Sequence, residues 1–164
     1  MESALTAKGS NIIEGYYTIL IVEDDPSLRE GIHDLLEYED GTIIHSASDG
    51  VEAMEQLEHI TPDLIISDIM MPQMNGFQLL EKVRAIPKFV RIPFIFLTAR
   101  GSREEVFEGK KSGAEMYITK PFNPNELVEL VKTQLQRASE KKLANQEDIS
   151  SLKRTVLQLS LIHI

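Results

Sequence analysis

Polar residues that can bind a metal ion or a phosphate follow four apolar runs of this sequence. Glu23, Asp24 and Asp68 supply carboxylates, Thr98 supplies a hydroxyl and Lys120 supplies an amine. A single acidic residue after a strand is most often a turn or capping residue. Their joint occurrence after four separate runs instead indicates that these groups share one site.

Together these groups suit phosphoryl transfer assisted by a divalent cation. Mg²⁺ prefers oxygen ligands and usually binds one or two carboxylates together with water and phosphate. Without a cation, clustered carboxylates would repel one another and raise one another's pKa. Asp68 could attack phosphorus as a nucleophile, while Lys120 pairs with one phosphoryl oxygen and Thr98 donates a hydrogen bond to another. Little more is needed, because this reaction depends mainly on positioning and electrostatics.

Short apolar runs alternate with amphipathic stretches from Tyr17 onward, which predicts alternating strands and helices. The predicted strands are 18–22, 42–45, 64–66, 94–97 and 116–118, and the predicted helices are 27–38, 50–59, 76–83, 103–111 and one that begins near 123–125. This repeat predicts an α/β fold with a doubly wound, five-stranded parallel sheet, flavodoxin-like, in strand order 2-1-3-4-5. In such sheets ligands bind beyond the carboxyl ends of the strands, where the polar residues fall.

The sequence divides into four predicted segments. Residues 1–15 are expected to be a flexible leader, and 16–138 form the globular domain. Residues 139–158 are expected to be a helical linker or coiled coil that extends the last helix, since no Gly or Pro follows Pro124 in this stretch. Residues 159–164 match the translation of a transposase recognition end, so we expect a non-native tail and a natural chain that continues past Gln158.

A heptad frame fits the extended C-terminal helix. Leu135, Lys142, Ile149 and Val156 fall at one core position, and Ala138, Asn145, Leu152 and Leu159 fall at the other. Polar residues such as this Lys and Asn weaken a coiled coil but can fix its register. A homodimer through this helix and a solvated linker helix are therefore both open.

Composition excludes several functions. Acidic residues outnumber basic ones 26 to 17, the formal charge is −9, and no Lys/Arg cluster of the kind that binds nucleic acid directly is present. The absence of cysteine excludes thiol chemistry. The amino terminus lacks the apolar core of a secretory signal, and no apolar run reaches the about 20 residues of a membrane span. We expect a cytoplasmic protein with no membrane segment.

Four segments resemble the signature segments of response-regulator receiver domains of two-component signalling. They are LIVEDDPSLRE, PDLIISDIMMPQMNGFQLL, IPFIFLTAR and GAEMYITKPFN. The resemblance covers about 17–138 and all five predicted strands. It implies that Glu23 and Asp24 hold Mg²⁺ or Mn²⁺, that Asp68 is both phosphoacceptor and metal ligand, and that Thr98 and Lys120 bind the phosphoryl group.

The resemblance also implies a switch. Met70 would offer its main-chain carbonyl to the metal, and the Lys120–Pro121 bond would be cis. A phosphoryl group on Asp68 would draw the Thr98 hydroxyl inward and let Tyr117 turn from an exposed to a buried position. The face made by the fourth predicted helix, the fifth strand and the last helix would then change its affinity for partners.

The resemblance implies a sensor histidine kinase or a phosphotransfer protein as partner, and no enzymatic activity of its own. Residues 147–160, EDISSLKRTVLQLS, resemble the helix that leads into the phosphoacceptor domain of receiver-linked histidine kinases. Kinase activity would therefore require a further C-terminal region.

Three alternatives are weighed against this interpretation. A phosphatase of the haloacid dehalogenase type needs a second Asp two residues after its nucleophile, where this sequence has Met70. A pseudo-receiver that serves only for dimerisation usually lacks the acceptor, the acidic pair or the lysine, all of which are present. A flavodoxin-like cofactor-binding protein would need a Ser/Thr/Gly-rich loop where Glu23, Asp24 and Asp25 stand.

Overall fold

Five strands and four α-helices alternate along residues 16–39, 41–99 and 116–162, which are the residues that the computed structural model describes. The strands are β1 (Tyr17–Val22), β2 (Thr42–Ala47), β3 (Leu64–Asp68), β4 (Phe94–Ala99) and β5 (Met116–Lys120). The helices are α1 (Pro26–Glu37), α2 (Gly50–Gln56), α3 (Gly76–Arg84) and α4 (Pro124–Ile162), with a 3₁₀ turn at Pro87–Phe89. The predicted helix 103–111 lies outside the described residues.

The strands form one parallel sheet in the order β2-β1-β3-β4-β5. This order confirms the predicted flavodoxin-like fold. The register pairs Val22 with Ser67 across β1 and β3, and Asp68 with Leu97 across β3 and β4. Because all strands run in the same direction, the residues that follow them meet along one edge of the sheet.

Each face of the sheet is covered by helices, which divides the apolar core into two layers. Successive residues of β3 enter opposite layers, so Leu64 and Ile66 lie in one layer and Ile65 in the other. The first layer also contains buried residues of α1 and α4, and the second contains those of α2 and α3. Burial on both faces explains why the strands are continuous apolar runs rather than alternating ones.

Side-chain caps fix where two helices begin. Asp25 accepts a hydrogen bond from the main-chain N–H of Ser27 at 3.0 Å, and Pro26 occupies the first helical position of α1. Asn75 and Gln78 form a capping box at the start of α3, with bonds of 2.8 and 2.9 Å. Such caps satisfy main-chain N–H groups that have no partner within the helix. They hold both helices close to the ends of β1 and β3.

Helix α4 has a packed base and a projecting end. It begins after Asn123, whose side chain accepts a hydrogen bond from a main-chain N–H of the first turn at 2.8 Å. Leu127, Val131 and Leu135 bury against the sheet. From 140 to 160, every side chain whose exposure is described is exposed to solvent. Among the described residues, no helix combines the length and the apolar character needed to cross a membrane.

Candidate functional site

Three carboxylates meet at the carboxyl-terminal edge of the sheet. Glu23 and Asp24 directly follow β1, and Asp68 is the last residue of β3. One carboxylate oxygen of each lies within 4.8 Å of the others. Glu23 and Asp68 are buried, whereas Asp24 is exposed. The structure therefore brings together three carboxylates that belong to the ends of two different strands.

Lys120 lies between the two buried carboxylates. Its Nζ is 3.1 Å from Glu23 Oε1 and 3.2 Å from Asp68 Oδ1. Lys120 is the last residue of β5, and the Lys120–Pro121 peptide bond is cis, as the family resemblance implied. The amine supplies one positive charge to a pair of carboxylates, so it offsets their repulsion only in part.

Main-chain and side-chain contacts hold Glu23 in place from the side of α1. The main-chain N–H of Asp25 donates to Glu23 Oε2 at 3.1 Å. Arg29 Nη1 donates to the main-chain oxygen of Glu23 at 2.8 Å. No role was predicted for Arg29, and its position one helical turn after Asp25 is a weak signal of this contact. Arg29 is thus a positioning residue that the sequence interpretation missed.

Burial shifts the proton equilibria of the cluster. Removal from water raises the pKa of Glu23 to about 7, with the Asp25 N–H opposing the shift and the charge of Asp68 adding to it. Burial also raises the pKa of Asp68, against the effect of Lys120 and with that of Asp24. Burial alone would lower the pKa of Lys120, but the two carboxylates outweigh it and the pKa is raised. The site therefore favours proton or cation binding.

Thr98 lies on β4, the strand next to Asp68, and Tyr117 lies one strand further along the sheet on β5. The Thr98 side chain is buried, and its hydroxyl donates a long hydrogen bond of 3.4 Å to the main-chain oxygen of Ala99. The Tyr117 ring packs on Phe96 with ring centroids 5.7 Å apart. Its hydroxyl oxygen is buried and has no hydrogen-bond partner in the described part of the chain. Burial raises the pKa of this hydroxyl.

The donor set fits a hard divalent cation. All three groups are carboxylates, and Glu23 Oε1 accepts no well-directed hydrogen bond from the described residues, although Lys120 Nζ is close. Buried oxygens of this kind are suited to Mg²⁺, which binds oxygen ligands in octahedral geometry. Met70 lies two residues past Asp68 with its side chain 59% exposed. Its predicted contribution through the main-chain carbonyl stays a prediction.

Comparison with known proteins agrees with this geometry. Residues 19–132 match the family described as the response regulator receiver domain. The chain belongs to this family. It is therefore a receiver domain of two-component signalling.

Two curated relatives of this receiver are named as response regulators. It is 36% identical over 155 residues to response regulator Rre1 of Synechocystis, a match that covers 89% of this chain and 67% of that protein. It is 38% identical over 146 residues to response regulator GtcR of Aneurinibacillus migulanus, which covers 89% of this chain and 59% of that protein. These relatives extend beyond the region that the receiver matches.

A solved structure gives the same picture of the fold. The chemotaxis response regulator CheY4 of Vibrio cholerae is 34% identical and superimposes with a TM-score of 0.67. The match covers 73% of this chain and 98% of that chain. The receiver thus contains nearly the whole of a CheY4-like body, and α4 extends past it.

Proposed function

We propose that this receiver accepts a phosphoryl group on Asp68 from a phosphohistidine of a sensor histidine kinase or a phosphotransfer protein. The observation that carries the proposal is the meeting of Glu23, Asp24 and Asp68 within 4.8 Å, with Lys120 paired to Asp68. An Asp68 carboxylate oxygen forms a bond to phosphorus as the bond from phosphorus to the histidine nitrogen breaks. The electron pair of the broken bond stays on that nitrogen, and because the other ring nitrogen of the phosphohistidine carries a proton, the histidine leaves neutral and Asp68 becomes an aspartyl phosphate.

The divalent cation of this reaction, Mg²⁺ or Mn²⁺, would be held by Glu23, Asp24, Asp68 and the main-chain carbonyl of Met70. Bound there, it would neutralise charge on the transferring phosphoryl group. Lys120 moves little to meet a phosphoryl oxygen, because its Nζ already lies 3.2 Å from Asp68 Oδ1. The reaction then depends on positioning by residues that the sheet edge holds rigidly.

Coupled movements of the Thr98 and Tyr117 side chains would follow phosphorylation of Asp68. The 3.4 Å hydrogen bond of the Thr98 hydroxyl is long, so little is lost when this hydroxyl turns to a phosphoryl oxygen. Tyr117 packs on Phe96 in the inward position that the switch hypothesis assigns to the phosphorylated state. We infer that phosphorylation stabilises this packed position and with it the partner-binding face on the β5 side of the sheet.

Labelling with acetyl phosphate and Mg²⁺ tests the acceptor. We expect the protein to gain the mass of one phosphoryl group and Asp68→Asn to gain none. Asp49→Asn is the matched control, because Asp49 caps α2 through its side-chain oxygen and Asn can do the same. Equal labelling of Asp68→Asn, or labelling that persists when Mg²⁺ is chelated, would overturn the proposal.

The labelling experiment tests one alternative function, and a hydrolysis assay tests the other. A pseudo-receiver would take up no phosphoryl group under any of the labelling conditions. A phosphatase would hydrolyse p-nitrophenyl phosphate with steady turnover. We do not expect this, because Met70 stands where such an enzyme has its acid–base residue, and we propose that the receiver has no catalytic turnover of its own.

We also propose that this chain does not bind nucleic acid directly, because its formal charge of −9 disfavours contact with phosphates.

A further inference from the structure

The projecting part of α4 exposes a row of apolar side chains on one side. Ile149, Leu152 and Val156 are 52%, 66% and 61% exposed. Their spacing of three and four residues places them on one face of the helix. We refer to these three residues as the apolar stripe. The body of the receiver does not cover it, since every described exposure from 140 to 160 is high.

A helix of this kind is poorly stabilised by itself. From 140 to 162 it runs 23 residues, about 35 Å at 1.5 Å per residue. In proteins most helical stability comes from packing of an apolar face rather than from intrinsic preference. The stripe therefore indicates that a partner surface covers it.

We propose that the apolar stripe is one half of a parallel, two-stranded coiled coil formed with a second copy of this chain. Ile149 and Val156 fall at the a positions of the heptad, and Leu152 falls at the d position between them. β-Branched residues at a combined with leucine at d favour two parallel strands over other assemblies. A second copy supplies the same residues in the same register, so each layer packs identical side chains.

Charges beside the stripe favour the same arrangement. By its place in the sequence Asp148 is at a g position, and the exposed Lys153 is at an e position. In parallel, in-register helices a g residue faces the e residue five positions later on the other helix, so the sequence puts an acidic position opposite a basic one. Antiparallel helices would instead bring e positions together and lose this attraction.

The apolar seam is short, so we expect the dimer to depend on protein concentration. Lys142 and Asn145 occupy the preceding core positions in the sequence, which limits the apolar layers to those from Ile149 onward. This assembly goes beyond the proposed phosphorylation and does not require it. Loss of Asp68 labelling and loss of the dimer are therefore separate outcomes.

Sedimentation velocity of the whole chain tests the assembly. We expect twice the mass of one chain at high concentration, and a dissociation constant at least tenfold higher for Leu152→Gln. Leu157→Gln is the matched control, because Leu157 is 63% exposed but lies off the stripe; we expect a change of less than twofold. A parent that stays monomeric at its highest soluble concentration, or equal weakening by both substitutions, would overturn the proposal.

Disulfide cross-linking tests the orientation, since the chain contains no cysteine. We expect Ile149→Cys and Leu152→Cys each to form dimers under oxidation, while Leu157→Cys stays monomeric on a non-reducing gel. Circular dichroism of each variant before oxidation controls for folding. An antiparallel pair would separate at least one pair of identical residues. Cross-linking of only one stripe variant, or only between two different variants in a mixture, would contradict the parallel arrangement.

Discussion

A side chain on Gly76 would collide with the main chain of Asp68. A Cβ atom there would lie 2.5 Å from the Asp68 carbonyl oxygen and 2.9 Å from Cε1 of Phe96. The main-chain oxygen belongs to a central strand and cannot move away cheaply. Gly76 therefore allows the start of α3 to lie close against the main chain of Asp68.

Gly76→Ala should lower the free energy of unfolding by roughly 1–3 kcal/mol, because overpacking forces the main chain to shift. Urea unfolding followed by circular dichroism measures this. Gly31→Ala in α1 is the matched control, since a Cβ there meets nothing within 4 Å. We expect that control to gain about 0.5–1 kcal/mol from the better helix propensity of alanine. If Gly76→Ala were as stable as Gly31→Ala, the close approach would be wrong.

Lys120→Met should destabilise the fold, because it removes the positive charge that offsets the repulsion between the Glu23 and Asp68 carboxylates. Without divalent cation we expect a loss of about 3 kcal/mol in the free energy of unfolding at pH 8, as for other broken buried ion pairs. Added Mg²⁺ should raise the melting temperature of this variant more than that of the parent, because the cation replaces the lost charge. Differential scanning calorimetry with and without Mg²⁺ provides both values.

The control for that variant is Lys132→Met. Lys132 is 54% exposed on its side chain and pairs with Glu39 at 3.7 Å on the surface. Exposed pairs of this type contribute less than about 1 kcal/mol. Equal losses for the two lysine variants would mean that the charges at the sheet edge are better hydrated than the structure indicates.

Glu23 gives the metal-free protein a distinctive pH dependence. Its folded pKa of about 7 lies above its ordinary value of 4.5, so the folded state holds a proton that the unfolded state has released between these values. The contribution of Glu23 to stability is thus full below about pH 4.5 and declines as pH rises toward 7. Glu23→Gln should therefore gain about 2 kcal/mol relative to the parent between pH 5 and pH 8.

Urea unfolding at several pH values in a chelating buffer measures that difference. Glu30→Gln, an exposed position on α1, should follow the parent at every pH. A constant difference between Glu23→Gln and the parent across this range would show that Glu23 is ionised throughout.

Tyr117→Phe should stabilise the fold. The substitution removes a buried hydroxyl that has no partner among the described residues and keeps the ring on Phe96. Leaving such a group unsatisfied costs about 1–3 kcal/mol, so we expect a gain of roughly 1 kcal/mol. Thermal unfolding measures it, with Tyr38→Phe as the control because Tyr38 is 86% exposed. A loss of stability would reveal a partner for the hydroxyl.

Hydropathy predicted the strands but misplaced their ends. The apolar run of β4 stops at Leu97, yet the strand continues to Ala99, so Thr98 lies within it rather than after it. In the same way β5 extends to Lys120. The hydrogen-bond ladder between parallel strands continues through polar residues, because it uses main-chain groups. The apolar pattern of the sequence shows where the buried core ends, and that point comes slightly before the end of the strand.

The members of the site were predictable from the sequence, but their contacts were not. Parallel strands bring their ends together, which is sufficient to place Glu23 near Asp68. Lys120 is shared between these two carboxylates at 3.1 and 3.2 Å, and Arg29 bonds to the Glu23 main chain at 2.8 Å. Such distances follow from packing of the whole fold, which no local pattern encodes.

Helix α4 works mechanically as a lever. The turns that carry Leu127 and Val131 pack against the sheet, and the same helix continues to Ile162 with no Gly or Pro in between. A tilt of about 5° at Val131 would move the far tip through about 4 Å, because the helix runs for about 46 Å from there to Ile162. Small displacements where the base of α4 packs on the sheet are therefore amplified along the helix, and a partner bound at the far end would be displaced further than the base itself.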